Sequence, residues 1–210
     1  MAEVYEFGDK SAEKVLVQPV DEHDLEFIEN EIAMIKEKTG ADFRVVAFGV
    51  NNWNNDLSPW KAPAVFGKED FGEGAEDTLA EILGYCNDKS KSYYIGGYSL
   101  AGFFALWAVY QTDLFRGVAA VSPSMWFPGF DNYMKEHEIR CRNVYLSLGN
   151  KEEKARNPVM ATVGDKIRNA HALLNEKKVN CTLEWNEGNH FRDPDLRCAK
   201  GFSWILEQNL

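Results

Sequence analysis

Apolar residues gather along the chain in short continuous runs, separated by longer stretches where they recur every three or four positions. The runs fall at residues 14–20, 43–50, 92–97, 117–122, 143–148 and 181–185 and are rich in β-branched and aromatic side chains. This is the pattern of strands covered on both faces. Between most of them the spacing turns helical. Leu25, Ile28, Ile32 and Ile35 mark one face of a helix, with Gly40 as its stop signal. Residues 78–85 predict a second helix, and residues 100–111 are apolar nearly all round, as for a helix buried on every side. Asn157-Pro158 has the form of an N-cap followed by proline in the first helical position, after which Met160, Val163, Ile167 and Leu174 line one face. Asp193-Pro194 repeats the signal before Leu196, Phe202 and Ile205.

Strand and helix alternate six times, which predicts an α/β fold: one domain over residues 1–210, with a mainly parallel sheet of about six or more strands flanked by helices. No repeat, low-complexity tract or Pro/Gly/Ser-rich linker divides the chain. In such sheets ligands sit beyond the carboxyl ends of the strands. Chemistry is therefore sought just after each strand.

Composition narrows the function classes. With 45% hydrophobic and 27% charged residues the chain is ordinary globular material, which excludes disordered and coiled-coil readings. Lys+Arg total 23 against 33 Asp+Glu, a net charge of −10. Such a surface repels phosphate backbones and disfavours nucleic-acid binding; it favours neutral or cationic small substrates over polyanions. Six tryptophans imply a large core or a walled pocket. The N-terminal residues show no basic or apolar signal region, and no apolar run is long enough to span a membrane. Cys86, Cys141, Cys181 and Cys198 lack Cys-x-x-Cys spacing and read as reduced thiols. A cytoplasmic protein without a membrane segment is the expectation, and the oligomeric state is left open.

The most informative run is Tyr94-Ile95-Gly96-Gly97-Tyr98-Ser99-Leu100-Ala101-Gly102. It closes an apolar strand and opens an apolar helix, with small residues two positions either side of a serine. A sharp strand-to-helix turn needs this, because the serine backbone is strained and bulky neighbours would clash. The turn would raise the Ser99 hydroxyl above the sheet and leave the Leu100 amide free at the helix N-terminus, where an oxyanion can be held. The usual pattern is G-x-S-x-G; here Ala101 holds the last position and Gly102 follows. The bland alternative is a packing turn with an incidental serine.

A serine needs a base to take its proton and an acid to orient that base. In strand–turn–helix hydrolases the chain order is Ser, acid, His. His190 lies in Trp185-Asn186-Glu187-Gly188-Asn189-His190-Phe191, after the last strand and before the last helix, and is the candidate base. His171 falls inside an amphipathic helix and His137 in the charged stretch Lys135-Glu136-His137-Glu138, and both read as surface; His23, in a first helical turn, reads as exposed or capping. The acid is expected after the penultimate strand, in Gly149-Asn150-Lys151-Glu152-Glu153, with Glu152 favoured and Glu153 its rival.

One oxyanion donor is the Leu100 amide, and the second is expected from Val20 or Asp21, since Pro19 has no N–H. Residues 51–74 form a long aperiodic segment, the kind that usually serves a site. Trp53 and Trp60 there, Tyr98 beside the serine and Trp126 in Ser122-Pro123-Ser124-Met125-Trp126 are candidates for the substrate wall, with core packing as the alternative. No His-x-x-x-His or similar ligand cluster suggests a metal.

Gly97-Tyr98-Ser99-Leu100-Ala101-Gly102, Ser122-Pro123-Ser124-Met125-Trp126, Gly149-Asn150-Lys151-Glu152 and Gly188-Asn189-His190-Phe191 together give a chain that resembles the α/β-hydrolase superfamily. More narrowly it resembles small bacterial serine esterases related to esterase D and to the siderophore (enterochelin) esterases. The resemblance runs from the central strand to the C-terminus; the first ninety residues match only in element order. It implies an α/β-hydrolase fold with no large cap domain, and cofactor-free hydrolysis of a small-molecule carboxylic ester through an acyl-enzyme. Acyl transfer or thioester hydrolysis by the same residues, or a silent binding protein, are the alternatives. Two departures stand out: Ala101 replaces the last glycine, and no His-Gly oxyanion motif follows Val17.

Overall fold

Every apolar run forms a strand in the computed structural model, which describes residues 3–208. The elements in chain order are β1 (Val4–Phe7), β2 (Lys14–Val20), α1 (Glu22–Thr39), β3 (Phe43–Gly49), α2 (Trp53–Asp56), α3 (Ala75–Tyr85), β4 (Ser92–Tyr98), α4 (Ser99–Gln111), β5 (Phe115–Val121), α5 (Phe130–Glu136), β6 (Asn143–Gly149), α6 (Val163–Glu176), β7 (Asn180–Asn186) and α7 (Pro194–Glu207). The strands make one seven-stranded sheet in the order β1-β3-β2-β4-β5-β6-β7. Only β1 runs antiparallel to its neighbour, pairing with β3 through Val4 and Phe48; all other pairs are parallel. This is an α/β-hydrolase fold.

Period-2 alternation divides each central strand between two apolar layers. Val15 and Val17 face the layer containing α3, α4 and α6, while Leu16 and Val20 face α1 and α7. Helix α4 is buried from Leu100 to Tyr110, which accounts for its lack of a polar face. Helix α1 is defined at both ends: Asp21 and Asp24 form a reciprocal capping box, and Gly40 closes it at φ 60°.

The structure departs from the sequence expectations in a few places. Strand β1 adds a seventh, antiparallel edge strand, a four-residue element too short to announce itself by periodicity. Strand β7 is an edge strand and is only partly covered, so it is not a run buried on both faces. The helix expected to begin at Pro158 begins at Val163; Asn157 caps a preceding turn instead, its Oδ1 accepting from the Val159 and Met160 amides at 2.9 and 3.3 Å. Residues 130–136, expected as charged surface at their end, form α5. Between β5 and β6 the chain has no helical element but α5, so nothing the size of a cap domain sits there. No helix among the described residues is long and apolar enough to cross a membrane, and the four cysteines are unpaired.

After β2 the chain steps to β3 on one side, then returns to place β4 on the other. The strand order therefore reverses between β2 and β4, the place where a crevice opens at the carboxyl ends of a parallel sheet. Ser99 follows β4 directly.

Candidate active site

Ser99 is held at φ 56°, in the left-handed region that a non-glycine residue adopts only under constraint. The constraint is close packing of the turn. A Cβ on Gly102 would stand 2.6 Å from the Gly97 carbonyl and 2.9 Å from that of Val121. A Cβ on Gly97 would stand 2.8 Å from the Ala101 Cβ. Glycine is thus required at 97 and 102, whereas at 101 a methyl fits because residue 97 has none. That explains the departure from G-x-S-x-G. The Ser124 amide donates to the Ser99 carbonyl at 3.1 Å and ties the turn to the segment after β5. No side chain caps α4, so its first amides, Leu100 among them, remain at a helix N-terminus without a capping group.

Three strand ends bring the polar groups together. Ser99 Oγ lies 3.0 Å from His190 Nε2, and His190 Nδ1 lies 2.7 Å from Glu152 Oε2. Glu152 is 7% exposed. Its other oxygen accepts from the Gly149 amide at 2.7 Å, the Ser122 hydroxyl at 2.8 Å and Arg197 Nη1 at 3.0 Å. Burial pushes the carboxyl up, but the hydrogen bond and charge of His190, the Gly149 amide and the Ser122 hydroxyl more than offset this and hold it below its ordinary value. Glu153 turns the other way and pairs with Arg168 at 2.7 Å. The other histidines stand apart: His23 lies near Glu26, His137 stacks on Tyr133, and His171 contacts Asn175.

Ser99 and His190 open into a cavity of about 250 Å³ walled by Phe66, Pro123, Trp126, Met160, Val163 and Phe191. Of the four aromatic wall candidates, only Trp126 lines it. Trp53 packs against the core, and Trp60 donates its indole N–H to the Pro128 carbonyl at 2.8 Å while contacting Phe127 and Tyr133. The segment carrying them is folded back by α2 and by an Ala62–Phe71 bridge, so its contribution to the wall is Phe66. The Tyr98 ring is turned to the support side: its hydroxyl donates to the His190 carbonyl at 2.8 Å and accepts from Arg197 at 3.0 Å. Val20 and Asp21 line a separate depression with Glu3, Tyr5 and Val50. The Asp21 amide is taken by the Asp24 carboxylate at 3.2 Å, Val20 is buried in β2, and neither residue lines the Ser99 cavity.

Several residues of the site carried no strong signal. Phe66 and Phe191 lie on turns without periodicity, and Met160, expected on the face of a helix from Pro158, lies in a single 3₁₀ turn before α6 and faces the cavity instead. Arg197 has a trace: it stands four and eight positions before Gly201 and Ile205, on the buried stripe of α7, where a charge is out of place unless it is paired. Lys151 and Lys154 also line the cavity, and neither forms an ion pair among the described residues. The mouth is thus locally basic on an acidic chain. Among the described residues no group of three or more His, Cys, Asp or Glu side chains is placed to hold a metal.

No protein-family model and no curated protein sequence matches the chain. Solved structures do. An IroE-like serine hydrolase from Shewanella oneidensis superposes with a TM-score of 0.78 at 15% identity, covering 97% of this chain and 75% of the other. The siderophore hydrolase EstA from Aspergillus nidulans gives a TM-score of 0.71 at 15% identity over 99% and 95% of the two chains. The enterobactin esterase from Shigella flexneri gives 0.61 at 15% identity over 97% and 54%. At these identities the likeness is one of fold, and the fold is that of the α/β hydrolases.

Proposed function

We propose that the protein is a serine hydrolase of small carboxylic esters, working through an acyl-enzyme. The observation that carries this reading is the unbroken relay from Ser99 Oγ through His190 to Glu152, set at the head of α4 and opening into an apolar cavity. The fold neighbours, described as serine hydrolases and esterases, support it.

Ser99 attacks the acyl carbonyl as His190 Nε2 takes its proton, and Glu152 holds the imidazole in the Nδ1–H tautomer and stabilises the imidazolium. Charge developing on the carbonyl oxygen meets the amide of Leu100 and the positive end of the α4 dipole. His190 returns the proton to the leaving alcohol. Water then repeats the sequence on the acyl-enzyme, with His190 again the base. The wall of Phe66, Trp126, Met160 and Phe191 suits an apolar acyl group. Lys151 and Lys154 at the mouth mean that the repulsion of anions expected from the net charge does not extend to the entrance.

The test is Ser99→Ala, assayed with an activated aryl ester and a fluorophosphonate probe. Loss of turnover by about 10³-fold or more, loss of labelling and an unchanged melting temperature are expected. Wild-type turnover in the variant overturns the reading.

A further inference from the structure

Arg197 stands on α7 at 2% exposure, and its guanidinium makes five hydrogen bonds, all within the site. Nη1, with two N–H groups, donates to Glu152 Oε1 and to the Tyr98 hydroxyl, both at 3.0 Å, with Ser122 Oγ at 3.3 Å as a third, shared acceptor. Nη2 donates to the carbonyls of Glu187 and Asn189, both at 3.0 Å. His190 is thereby bracketed. The carbonyl before it is held by Arg197, its own carbonyl by Tyr98, and its Nδ1 by Glu152, and each of these three is a direct partner of Arg197. Because Gly149, Ser122 and Arg197 occupy Glu152 Oε1, the oxygen left for the imidazole is Oε2.

We propose that Arg197 is a positioning residue for the hydrolytic relay, locking Glu152 and the His190 loop into one unit and tuning the imidazole with its fixed positive charge. A guanidinium is costly to bury and needs a planar set of acceptors to match its fork. Here those acceptors are the acid itself and the main chain that carries the base. The charge sits behind the carboxylate and opposes the carboxylate's pull on a proton at His190, through an interior of low dielectric. Among the described residues, the charged or titratable groups around the pair include Tyr98 from β4, whose phenol burial keeps un-ionised, Cys198 from α7, whose thiol burial pushes up, and Lys151 and Lys154 from the turn after β6.

This inference rests on the hydrolytic reading of Ser99, and two measurements keep the two separable. Arg197→Met and Arg197→Lys are compared with wild type by the pH profile of kcat/KM on an activated ester, normalised to fluorophosphonate-reactive sites, and by NMR titration of the His190 ring, which needs no turnover. In Arg197→Met, kcat should fall by about tenfold or more with KM changed less than about twofold. The acid limb of the kcat/KM profile, and with it the His190 titration, should move away from that of wild type, a change that lost stability alone does not produce. Arg197→Lys keeps the cation but leaves the Glu187 and Asn189 carbonyls without their donor. It should retain the wild-type limb and still lose kcat. If Arg197→Met does not fold, kcat per reactive site in Arg197→Lys decides: a several-fold loss supports the positioning role, and a wild-type value overturns it. A lowered melting temperature with unchanged kcat per site, limb and ring titration also overturns it. Failure of the Ser99 reading shows elsewhere, as undiminished turnover in Ser99→Ala, and leaves the ring titration to judge Arg197.

Discussion

Glu152 Oε2 stands 2.7 Å from His190 Nδ1, while Glu153, one residue on, reaches Arg168. The two carboxylates diverge because residues 152–154 form a 3₁₀ turn, in which successive side chains point about 120° apart. Glu152→Gln should therefore lower kcat by about 10²–10⁴-fold, and Glu153→Gln should change it less than about twofold, removing an ion pair worth roughly 0–1 kcal/mol. Steady-state kinetics of the two variants check this directly. Glu152 also links stability to pH. Its carboxyl lies below its ordinary value in the folded chain, so its contribution is present above the unfolded value of about 4.3 and is lost as pH falls through the folded one. Melting curves of wild type and Glu152→Gln should converge at the acid end.

The turn at Ser99 makes a second prediction. Gly102→Ala drives a methyl against two backbone carbonyls, neither of which can swing aside. It should destabilise the chain by about 1–3 kcal/mol and displace the Ser99 hydroxyl, with activity falling alongside the melting temperature. Ala101→Gly restores the common motif but loosens a helix; it should cost about 0.5–1 kcal/mol and leave kcat within a few-fold of wild type.

Phe191 and Trp126 wall the same cavity at opposite extremes of burial, 86% and 7% exposed. Phe191→Ala should leave stability within about 0.5 kcal/mol yet raise KM for esters of longer apolar acids, with little change for acetyl esters. Trp126→Ala should weaken both binding and folding, the latter by about 3–5 kcal/mol. An acyl-length series measured beside denaturant titrations separates the two effects.

On the far face of the sheet, Glu31 of α1 is buried beside Gln18 of β2, and burial raises its carboxyl to about 8. Between the unfolded value near 4.3 and about 8, the folded state holds a proton that the unfolded chain has released. Stability should therefore fall as pH rises through that window, by at most about 1.4 kcal/mol per pH unit, and level off above it. Glu31→Gln should remove this slope between about 6 and 8, leaving below it the part due to Asp24, which burial raises to about 6, and should melt higher than wild type at pH 8. Equal melting temperatures across pH 5–8 for both proteins would count against it.

Local physics made most of the fold legible. Strands at 14–20, 43–49, 92–98, 115–121, 143–149 and 180–186 follow from dense apolar runs, and α1 from its spacing and its glycine stop. Element ends drifted where a turn could satisfy the same cap, as at Asn157. Strand β1 leaves no trace in the local pattern because pairing to β3 stabilises it, and pairing is not a local property. Ser99, Glu152 and His190 were legible because each follows a strand in a fixed chain order, and the small residues around Ser99 record a steric demand that two backbone carbonyls impose.

What the sequence alone determined, then, is the alternation of elements, the strained turn and the order of serine, acid and histidine, all set by periodicity and short-range sterics. The tertiary structure decided which of two adjacent glutamates meets the histidine, which aromatics wall the cavity, and that Arg197 lies behind the acid. These depend on the direction of side chains brought together from strand ends and loops far apart in sequence. Only the packing of α7 on the sheet and the folding back of the 51–74 segment bring them to one place.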